Sequence, residues 1–177
     1  MSGESGTRAN IRPYREADQP AVIGLFRQFM AELAPPQAKQ SFDAYVALAV
    51  REELSRIADY YLAKPGQGFW VAELGGVVGM VGIERRSSRE AELRRMAVET
   101  SHRRRGIGRE LLRVAEDFCA ESGYEAIVLS TSELQVAAMR LYEAGGYRLA
   151  GTEIAETQSH KTVGAGLTRH HYEKRLA

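Results

Sequence analysis

Seven residues, HRRRGIG at 102–108, constrain this chain more than any other part of its sequence. They lie between a strand-like run, AELRRMAV, and a helical repeat in which Leu111, Ala115 and Phe118 fall on one face. Glycines between a strand and a helix let the backbone approach a ligand closely, and the free N–H groups and dipole of the helix start favour an anion. The stretch therefore predicts an α/β fold with a phosphate-binding loop.

The neighbours of this loop disfavour two other interpretations. No Lys-Ser/Thr pair follows the second glycine, as in a Walker loop, and Leu111 stands where a dinucleotide fingerprint has its third glycine. A basic surface for nucleic acid is disfavoured because Glu110, Glu116 and Asp117 interrupt the basic helix face. The whole chain has 24 Lys and Arg against 23 Asp and Glu residues, so it lacks a general positive excess. We expect no nucleic-acid partner.

Composition also limits the domain organisation and the location of the chain. A length of 177 residues suits one domain, and the single cysteine, Cys119, excludes an internal disulfide. No apolar run approaches the ~18 residues of a membrane span, and the first ten residues lack the apolar core of a signal peptide. We expect a flexible tail over residues 1–9, one domain over residues 10–177, and a cytoplasmic location without membrane contact.

Two amphipathic helices precede the main sheet in the predicted order of elements. A short strand at 11–14 comes first, after which Asp18 is positioned to cap a helix. The next helical repeat begins at Ser41 and continues to Tyr61, shortly before Pro65. The apolar residues of each repeat recur at helical spacing, which predicts that both helices pack on the sheet through one face.

Strands and helices then alternate through the remainder of the chain. Strand-like runs at 69–74 and 77–84 meet at a Gly-Gly pair that suits a tight hairpin turn. Together the pattern predicts a single-domain α/β fold with a mixed, largely antiparallel twisted sheet flanked by helices. The later predicted elements are strands at 91–98, 126–129, 147–150 and 168–176, a helix after the glycine loop, a helix from Ser132, and a loop at 151–167.

With these elements in place, the sequence resembles the Gcn5-related N-acetyltransferases, the GNAT family, over nearly its whole length. Arg103, Gly106 and Gly108 match the family signature Gln/Arg-x-x-Gly-x-Gly/Ala. The segment MRLYEAGGY resembles the family's helix that carries a tyrosine, followed by a glycine and an aromatic residue that opens the next strand. The longer stretch VLSTSELQVAAMRLYEAGGY resembles the camello-like branch.

The resemblance implies that acetyl-coenzyme A is the co-substrate and that its acetyl group passes to an amine. In the family, amides of the glycine loop hold the pyrophosphate, and the preceding strand pairs with the pantetheine arm. Many members carry Asn seven residues before the tyrosine, where this chain has Gln135; a capping box with Ser132 is the other interpretation. The implied cofactor contacts are Met96, Ala97, Val98, Arg103, Arg104, Arg105, Gly106, Ile107, Gly108, Arg109 and Gln135.

Acyl transfer to an amine needs a group that takes a proton from the incoming ammonium, and a second that protonates the departing thiolate. The resemblance implies that Tyr142 is the acid, although its place on an apolar helix face also suits a core tyrosine. Glu92 aligns with a strand that carries a catalytic glutamate in the histone-acetylating members, and is the candidate base. Glu84, on the preceding strand, and water are the alternatives.

The sequence indicates no metal site and leaves the acceptor open. His170 and His171 are adjacent, so a strand directs them to opposite faces, and Cys119 is expected in the core. Three arginines near the end of the hairpin could bind a carboxylate-bearing substrate or could simply be solvated: Arg85, Arg86 and Arg89. The acceptor is a primary amine of a small molecule, amino acid or peptide, and a homodimer is left open. The rival class is a non-catalytic acyl-coenzyme A-binding module.

Overall fold

The computed structural model describes residues 8–177, so residues 1–7 of the predicted tail lie outside the described residues. Within that part of the chain, the backbone forms seven strands and four α-helices. In chain order these are β1 (Asn10–Pro13), α1 (Gln19–Leu33), α2 (Lys39–Glu52), β2 (Gly68–Glu73), β3 (Val77–Arg85), β4 (Glu90–Val98), α3 (Ile107–Glu121), β5 (Ala126–Ser132), α4 (Val136–Ala144), β6 (Arg148–Ala155) and β7 (Leu167–Arg175).

All seven strands belong to one sheet, in the order β1-β2-β3-β4-β5-β7-β6. The β4–β5 pair is parallel, and the other neighbouring pairs are antiparallel. The predicted hairpin joins β2 to β3 through Gly75 and Gly76, whose φ angles are 71° and 157°. The predicted mixed, largely antiparallel sheet is thus confirmed.

The helices cover the two faces of this sheet. Helix α3 packs on one face, where Leu111, Ala115 and Cys119 are fully buried. Helices α1 and α2 pack on the other face, where Val22 and Ala49 are fully buried. Burial raises the pKa of the Cys119 thiol to about 12, so this cysteine is a core residue, as predicted.

The sheet opens at its centre, between β4 and β5. These strands pair only where residues 90–92 lie beside residues 126–128, and they separate from Leu93 onward. Near the same point, the β3–β4 register shifts between Met80 and Gly82, which puts one extra residue into β4. Arg95 lies in this bulge with a φ of 57°, in the left-handed region that non-glycine residues seldom adopt. The bulge and the separation together create a cleft.

The predicted continuous helix from Ser41 to Tyr61 is wrong. Helix α2 ends at Glu52, and Glu53 leaves the helical region with φ −135° and ψ −62°. A 3₁₀ turn (Leu54–Arg56) and a π-helical turn (Ala58–Leu62) follow. The break in the helix lies at Glu53, which is fully buried although it is ionised. The carboxylate of Glu53 contacts two arginines of β4.

Three further boundary predictions need correction. Ser132 does not cap a helix, because it is the last residue of β5 and pairs with Arg169 of β7 in extended backbone. Helix α4 begins four residues later. The predicted loop at 151–167 is shorter, at 156–166, because β6 continues along β7 as far as Ala155. Asp18 precedes α1, but its carboxylate accepts hydrogen bonds from the preceding segment instead of from the helix.

Candidate active site

The candidate active site is the cleft between the separated ends of β4 and β5. One wall is formed by residues 92–97 of β4, and the opposite wall by residues 130–132 of β5. Side chains of α1 and α2, including Phe29 and Phe42, close one side, and the loop at 156–166 closes another. Tyr142 of α4 also lines the cleft. The sheet thus supplies a site lined by strand backbone, with one phenol and several charged groups around it.

At one end of the cleft, the glycine loop leads into α3. Gly106 has a φ of 79°, and a Cβ there would meet no atom within 4 Å. The backbone amides of residues 104–109 have no hydrogen-bond acceptor among residues 8–177. Gly108 packs closely instead, since a Cβ would lie 3.2 Å from Leu141 Cδ2. The loop thus presents unpaired N–H groups at a helix start, an arrangement that fits a diphosphate.

The arginines of this loop are exposed, and most of them make no ion pair. Arg103 donates from Nε to the Val98 carbonyl at 3.1 Å and lies 3.7 Å from Glu32. Arg104, Arg105 and Arg109 have no carboxylate within ion-pair distance among the described residues. Their positive charge is therefore available to a ligand.

The other implied cofactor residues lie along the cleft. Met96 and Ala97 line it, whereas Val98 lies at its end next to the loop, where its carbonyl accepts from Arg103. Gln135 also lines the cleft, and its side-chain oxygen accepts a hydrogen bond from the Thr131 hydroxyl. The capping box with Ser132 is absent. The side-chain N–H groups of Gln135 make no hydrogen bond to residues 8–177 and can therefore donate to a ligand.

Tyr142 is almost completely buried, yet its hydroxyl makes no hydrogen bond to any described residue. Its ring packs against the rings of Tyr147 and Tyr172, with centroids 5.8 Å and 6.2 Å away. Burial raises the pKa of the Tyr142 phenol well above its ordinary value. The phenol therefore stays protonated at neutral pH and can donate its proton or a hydrogen bond.

The two candidate bases lie side by side. Glu84 of β3 is the direct cross-strand partner of Glu92 of β4. Lys161, on the loop at 156–166, bridges them, with Nζ 3.2 Å from Glu84 Oε2 and 3.5 Å from Glu92 Oε2. Burial tends to raise the pKa of Glu84, but Arg94 and Lys161 outweigh it and hold that pKa below its ordinary value. Glu92 lines the cleft, so it is the better placed carboxylate.

Sequence analysis missed a buried ionic cluster beneath these groups. Glu53 has no exposed surface, and its carboxylate accepts from Arg95 Nε at 2.9 Å and from Arg95 Nη2 at 2.6 Å. It also accepts from Arg94 Nη2 at 3.0 Å and from the Tyr61 hydroxyl. Burial opposes ionisation of Glu53, but the two guanidinium groups outweigh it and lower the pKa to about 2.

Arg95 connects three parts of the site. Besides Glu53, its guanidinium donates to the Tyr45 hydroxyl at 2.7 Å and to the backbone carbonyl of His160 at 2.6 Å. It therefore joins α2, the bulge of β4 and the loop at 156–166. A signal for Glu53 was present in the sequence, because it follows Tyr45 and Ala49 at intervals of four, on the apolar face of the helical repeat.

Several expectations concern groups outside the cleft. Arg85, Arg86 and Arg89 are exposed at the far hairpin and do not line it. His171 contacts Glu153 at 3.1 Å, and residues 8–177 hold no group of three or more metal-ligating side chains. None of the helices in that part of the chain is long and apolar enough to cross a membrane.

Residues 28–147 match the family described as the Acetyltransferase (GNAT) family, which is more than half of the chain, so the chain belongs to this family. The predicted family is thus confirmed, and the protein is an acetyltransferase.

Named relatives agree with this assignment. The chain is 29% identical to N-acetyltransferase 8B of Homo sapiens over 80% of its own length and 85% of that protein, which supports the predicted camello-like branch. It is 39% identical to N-acetylaspartate synthetase of Homo sapiens, over 61% of this chain and 36% of that protein. It therefore spans little more than a third of the synthetase.

Among solved structures, the fold is similar to that of a phosphinothricin acetyltransferase (Pat) of the GNAT superfamily from Sinorhizobium meliloti, solved in complex with AcCoA. The TM-score is 0.71, with 19% identity over 97% of this chain and 90% of the other. At that identity the likeness supports the fold.

Proposed function

We propose that this protein transfers the acetyl group of acetyl-CoA directly to a primary amine, with Tyr142 as the acid and Glu92 as the base. One observation carries the proposal: a buried phenol without a hydrogen-bond partner in the described chain lines the same cleft as a carboxylate. Direct attack by the acceptor needs both functions in one place, because a proton leaves the ammonium and another is wanted at the thiolate.

Acetyl-CoA fits the residues present. The unpaired amides of residues 104–109 and the exposed Arg104, Arg105 and Arg109 would hold the diphosphate. The backbone of Met96, Ala97 and Val98 would pair with the pantetheine arm, because β4 has no strand partner beside these residues on the β5 side. Bound in this way, acetyl-CoA supplies an activated acetyl group and a thiolate leaving group.

The protein groups then have separate tasks. Glu92 accepts a proton from the acceptor's ammonium, which makes the nitrogen nucleophilic. Tyr142 donates its proton, or a hydrogen bond, to the departing sulfur. Its raised pKa keeps the proton in place before the reaction, and Glu84 remains ionised beside Glu92 because Arg94 and Lys161 compensate its charge. The acceptor must share the neighbourhood of Glu92 with Lys161.

The acceptor is a small molecule, an amino acid or a peptide with a free amine. Arg94 and Arg95 cannot serve as its carboxylate site, because their guanidinium groups are occupied by Glu53 and Glu84. Arg169 also lines the cleft, but both of its Nη atoms already have a partner, one in Glu153 and the other in Ser130. The name of N-acetylaspartate synthetase supports amino acids as the first class to test.

Measured release of coenzyme A from acetyl-CoA, with a panel of amino acids, small amines and peptides, tests the activity. We expect amine-dependent release and a product that carries the acetyl group on nitrogen. A protein that binds acetyl-CoA but transfers to no amine in the panel would instead support the non-catalytic binding module.

Tyr142→Phe tests the acid, because it removes only the hydroxyl and preserves the ring packing. We expect single-turnover acetyl transfer to slow by about 10²-fold, the usual scale for a positioned general acid, while the affinity for acetyl-CoA changes little. Tyr147→Phe is the matched control, since Tyr147 is buried beside Tyr142 but does not line the cleft. A Tyr142→Phe rate within about threefold of the parent would assign the proton to water.

A further inference from the structure

Lysine is rare in this chain, and one lysine lies inside the acceptor cleft. Of the 24 Lys and Arg residues, four are lysines: Lys39, Lys64, Lys161 and Lys174. Lys161 lines the cleft together with Tyr142 and Glu92, and the other three lie outside it. A primary amine, the functional group that an N-acetyltransferase modifies, is therefore part of the wall of this site.

The amine of Lys161 lies beside the carboxylate that is proposed as the base for an acceptor ammonium. Its Nζ lies 3.5 Å from Glu92 Oε2, the carboxylate proposed as the base, and 3.2 Å from Glu84 Oε2. The side chain keeps 34% of its surface exposed, so it is not locked in the core. Proximity of a nucleophile to its base replaces a bimolecular encounter by an intramolecular one.

The segment that carries Lys161 is held over the cleft from both sides. The neighbouring His160 accepts a hydrogen bond from Arg95 through its carbonyl, and its ring nitrogen lies 3.3 Å from the Tyr60 hydroxyl. Gln158 donates to the carbonyl of Ser41 at the start of α2. The residues just before Lys161 are thus held by three contacts, one through the His160 carbonyl and two through the side chains of His160 and Gln158. Transfer requires that the partly exposed side chain of Lys161 extend from this fixed segment to the acetyl carbon.

We propose that Lys161 is an internal acceptor, which the enzyme acetylates in its own cleft when no external amine is bound. The inference rests on the proposed function, because it uses the same acid and base. Glu92 takes a proton from the ammonium, Nζ bonds to the carbonyl carbon of the thioester, and the carbon–sulfur bond breaks. Tyr142 protonates the departing sulfur, the second proton that Nζ loses on forming the amide restores the Tyr142 phenol, and Glu92 releases its proton to solvent, so acetyl-lysine and free coenzyme A are the products.

Acetylation would change the acceptor site. The product amide is neutral, so Glu84 and Glu92 lose the cation that bridges them, and Glu84 retains the Arg94 contact at 2.7 Å and the hydrogen bond from the Tyr60 hydroxyl at 3.2 Å. The modified side chain also fills space beside Glu92. The modification would therefore alter the affinity of the site for external amines. An enzyme that had met acetyl-CoA without an acceptor would then differ in activity from one that had not.

Chemical acetylation by free acetyl-CoA predicts a different pattern of sites. Uncatalysed reaction follows exposure, which favours Lys39, whose side chain is 72% exposed and paired with Asp43, and the exposed Lys64. Lys174 is 26% exposed and pairs with Glu116, so it resembles Lys161 in exposure but lies outside the cleft. Lys174 is therefore the matched internal control, and the two mechanisms rank the four lysines differently.

The experiment incubates the full chain with acetyl-CoA without an acceptor, and follows acetylation of each lysine by peptide mass spectrometry. We expect Lys161 to be modified at least about tenfold faster than Lys174, at a rate per molecule that does not depend on protein concentration. Tyr142→Phe should slow Lys161 by the same factor as external transfer, and leave Lys39 and Lys64 unaffected. A good acceptor from the amine panel should suppress modification of Lys161.

Two results would overturn the inference: labelling in order of exposure, or a Lys161 rate that is unchanged in Tyr142→Phe although external transfer slows. External transfer is measured in parallel to separate this failure from that of the proposed function. If external amines are acetylated with the expected Tyr142 dependence while Lys161 stays unmodified, only the internal acceptor is lost. If neither reaction occurs, the proposed function fails as well.

Discussion

Two groups of arginines flank the candidate site, and they differ in what they contact. Arg94 and Arg95 of β4 are buried. The guanidinium group of Arg94 pairs with Glu53 and Glu84, and that of Arg95 contacts Glu53, the Tyr45 hydroxyl and a backbone carbonyl. The exposed arginines of the loop before α3 make at most weak contacts with carboxylates. The first group stabilises the walls of the cleft, and the second is available to a ligand.

The role of each arginine group depends on the carboxylates that it contacts and cannot be recognised from the arginines alone. Both groups are runs of consecutive arginines in the sequence, Arg94 and Arg95 within β4 and Arg103 to Arg105 shortly after it. The partner that distinguishes them, Glu53, lies about 40 positions earlier in the chain than Arg94, at a helix break.

Arg95→Ala should cause the largest loss of stability. It leaves Glu53 buried with one guanidinium partner instead of two, and it keeps a non-glycine residue in the left-handed bulge. We expect a loss of about 3–5 kcal/mol in the free energy of unfolding, measured by urea denaturation. Arg105→Ala is the matched control from the exposed group and should stay within about 0.5 kcal/mol of the parent. Equal effects of the two substitutions would mean that the buried and the exposed arginines contribute alike to stability.

Gly106→Glu should separate ligand binding from stability at the other end of the cleft. The new carboxylate would repel the diphosphate and enter open space, so the fold survives while the affinity for acetyl-CoA falls by about 10²-fold or more. Isothermal calorimetry measures the affinity, and circular dichroism the fold. Gly106→Asn is the control, because asparagine tolerates the positive φ and adds no charge. Normal binding by Gly106→Glu in a folded protein would rule out the loop as the diphosphate site.

Arg105→Ala should have the smallest effect. A single exposed charge next to a phosphate contributes about 0.5–1 kcal/mol, so we expect the dissociation constant for acetyl-CoA to rise about two- to fivefold. The difference from the parent should shrink as salt is added, because an exposed charge is screened. A change of more than about 30-fold would mean that Arg105 makes a desolvated contact, and the exposed group would then resemble the buried one.

Local pattern was sufficient to predict most of the fold. The glycine loop with its strand and helix, the Gly75–Gly76 hairpin and the buried face of α3 all depend on residues close together in the chain. Where a prediction was wrong, distant contacts decide the backbone. Ser132 is held in a strand by β7, and α2 stops where Glu53 turns toward β4, and neither partner can be recognised from the neighbouring sequence.

The residues of the candidate site also divide into those that could be predicted from the local sequence and those that depend on distant contacts. The resemblance of the loop and of the tyrosine helix to one family indicated Tyr142 and the loop residues, and the structure brings Glu92, Glu84 and Tyr142 to one region. Lys161 could not be anticipated, because it belongs to a segment without periodicity, and its place in the cleft depends on contacts of its neighbours with α2 and β4.

The short β4–β5 contact has a mechanical consequence. Only three residue pairs join β4 to β5, fewer than join any other two neighbouring strands. The boundary between the two halves of the sheet is therefore its weakest in hydrogen bonds, and a relative motion of the halves would break few of them. A ligand that pairs with the open part of β4 would make the boundary between β4 and β5 more rigid, as an additional strand does. Part of its binding free energy would then be spent on restricting the motion of the halves, and reactant and product would differ in how rigidly they hold the enzyme together.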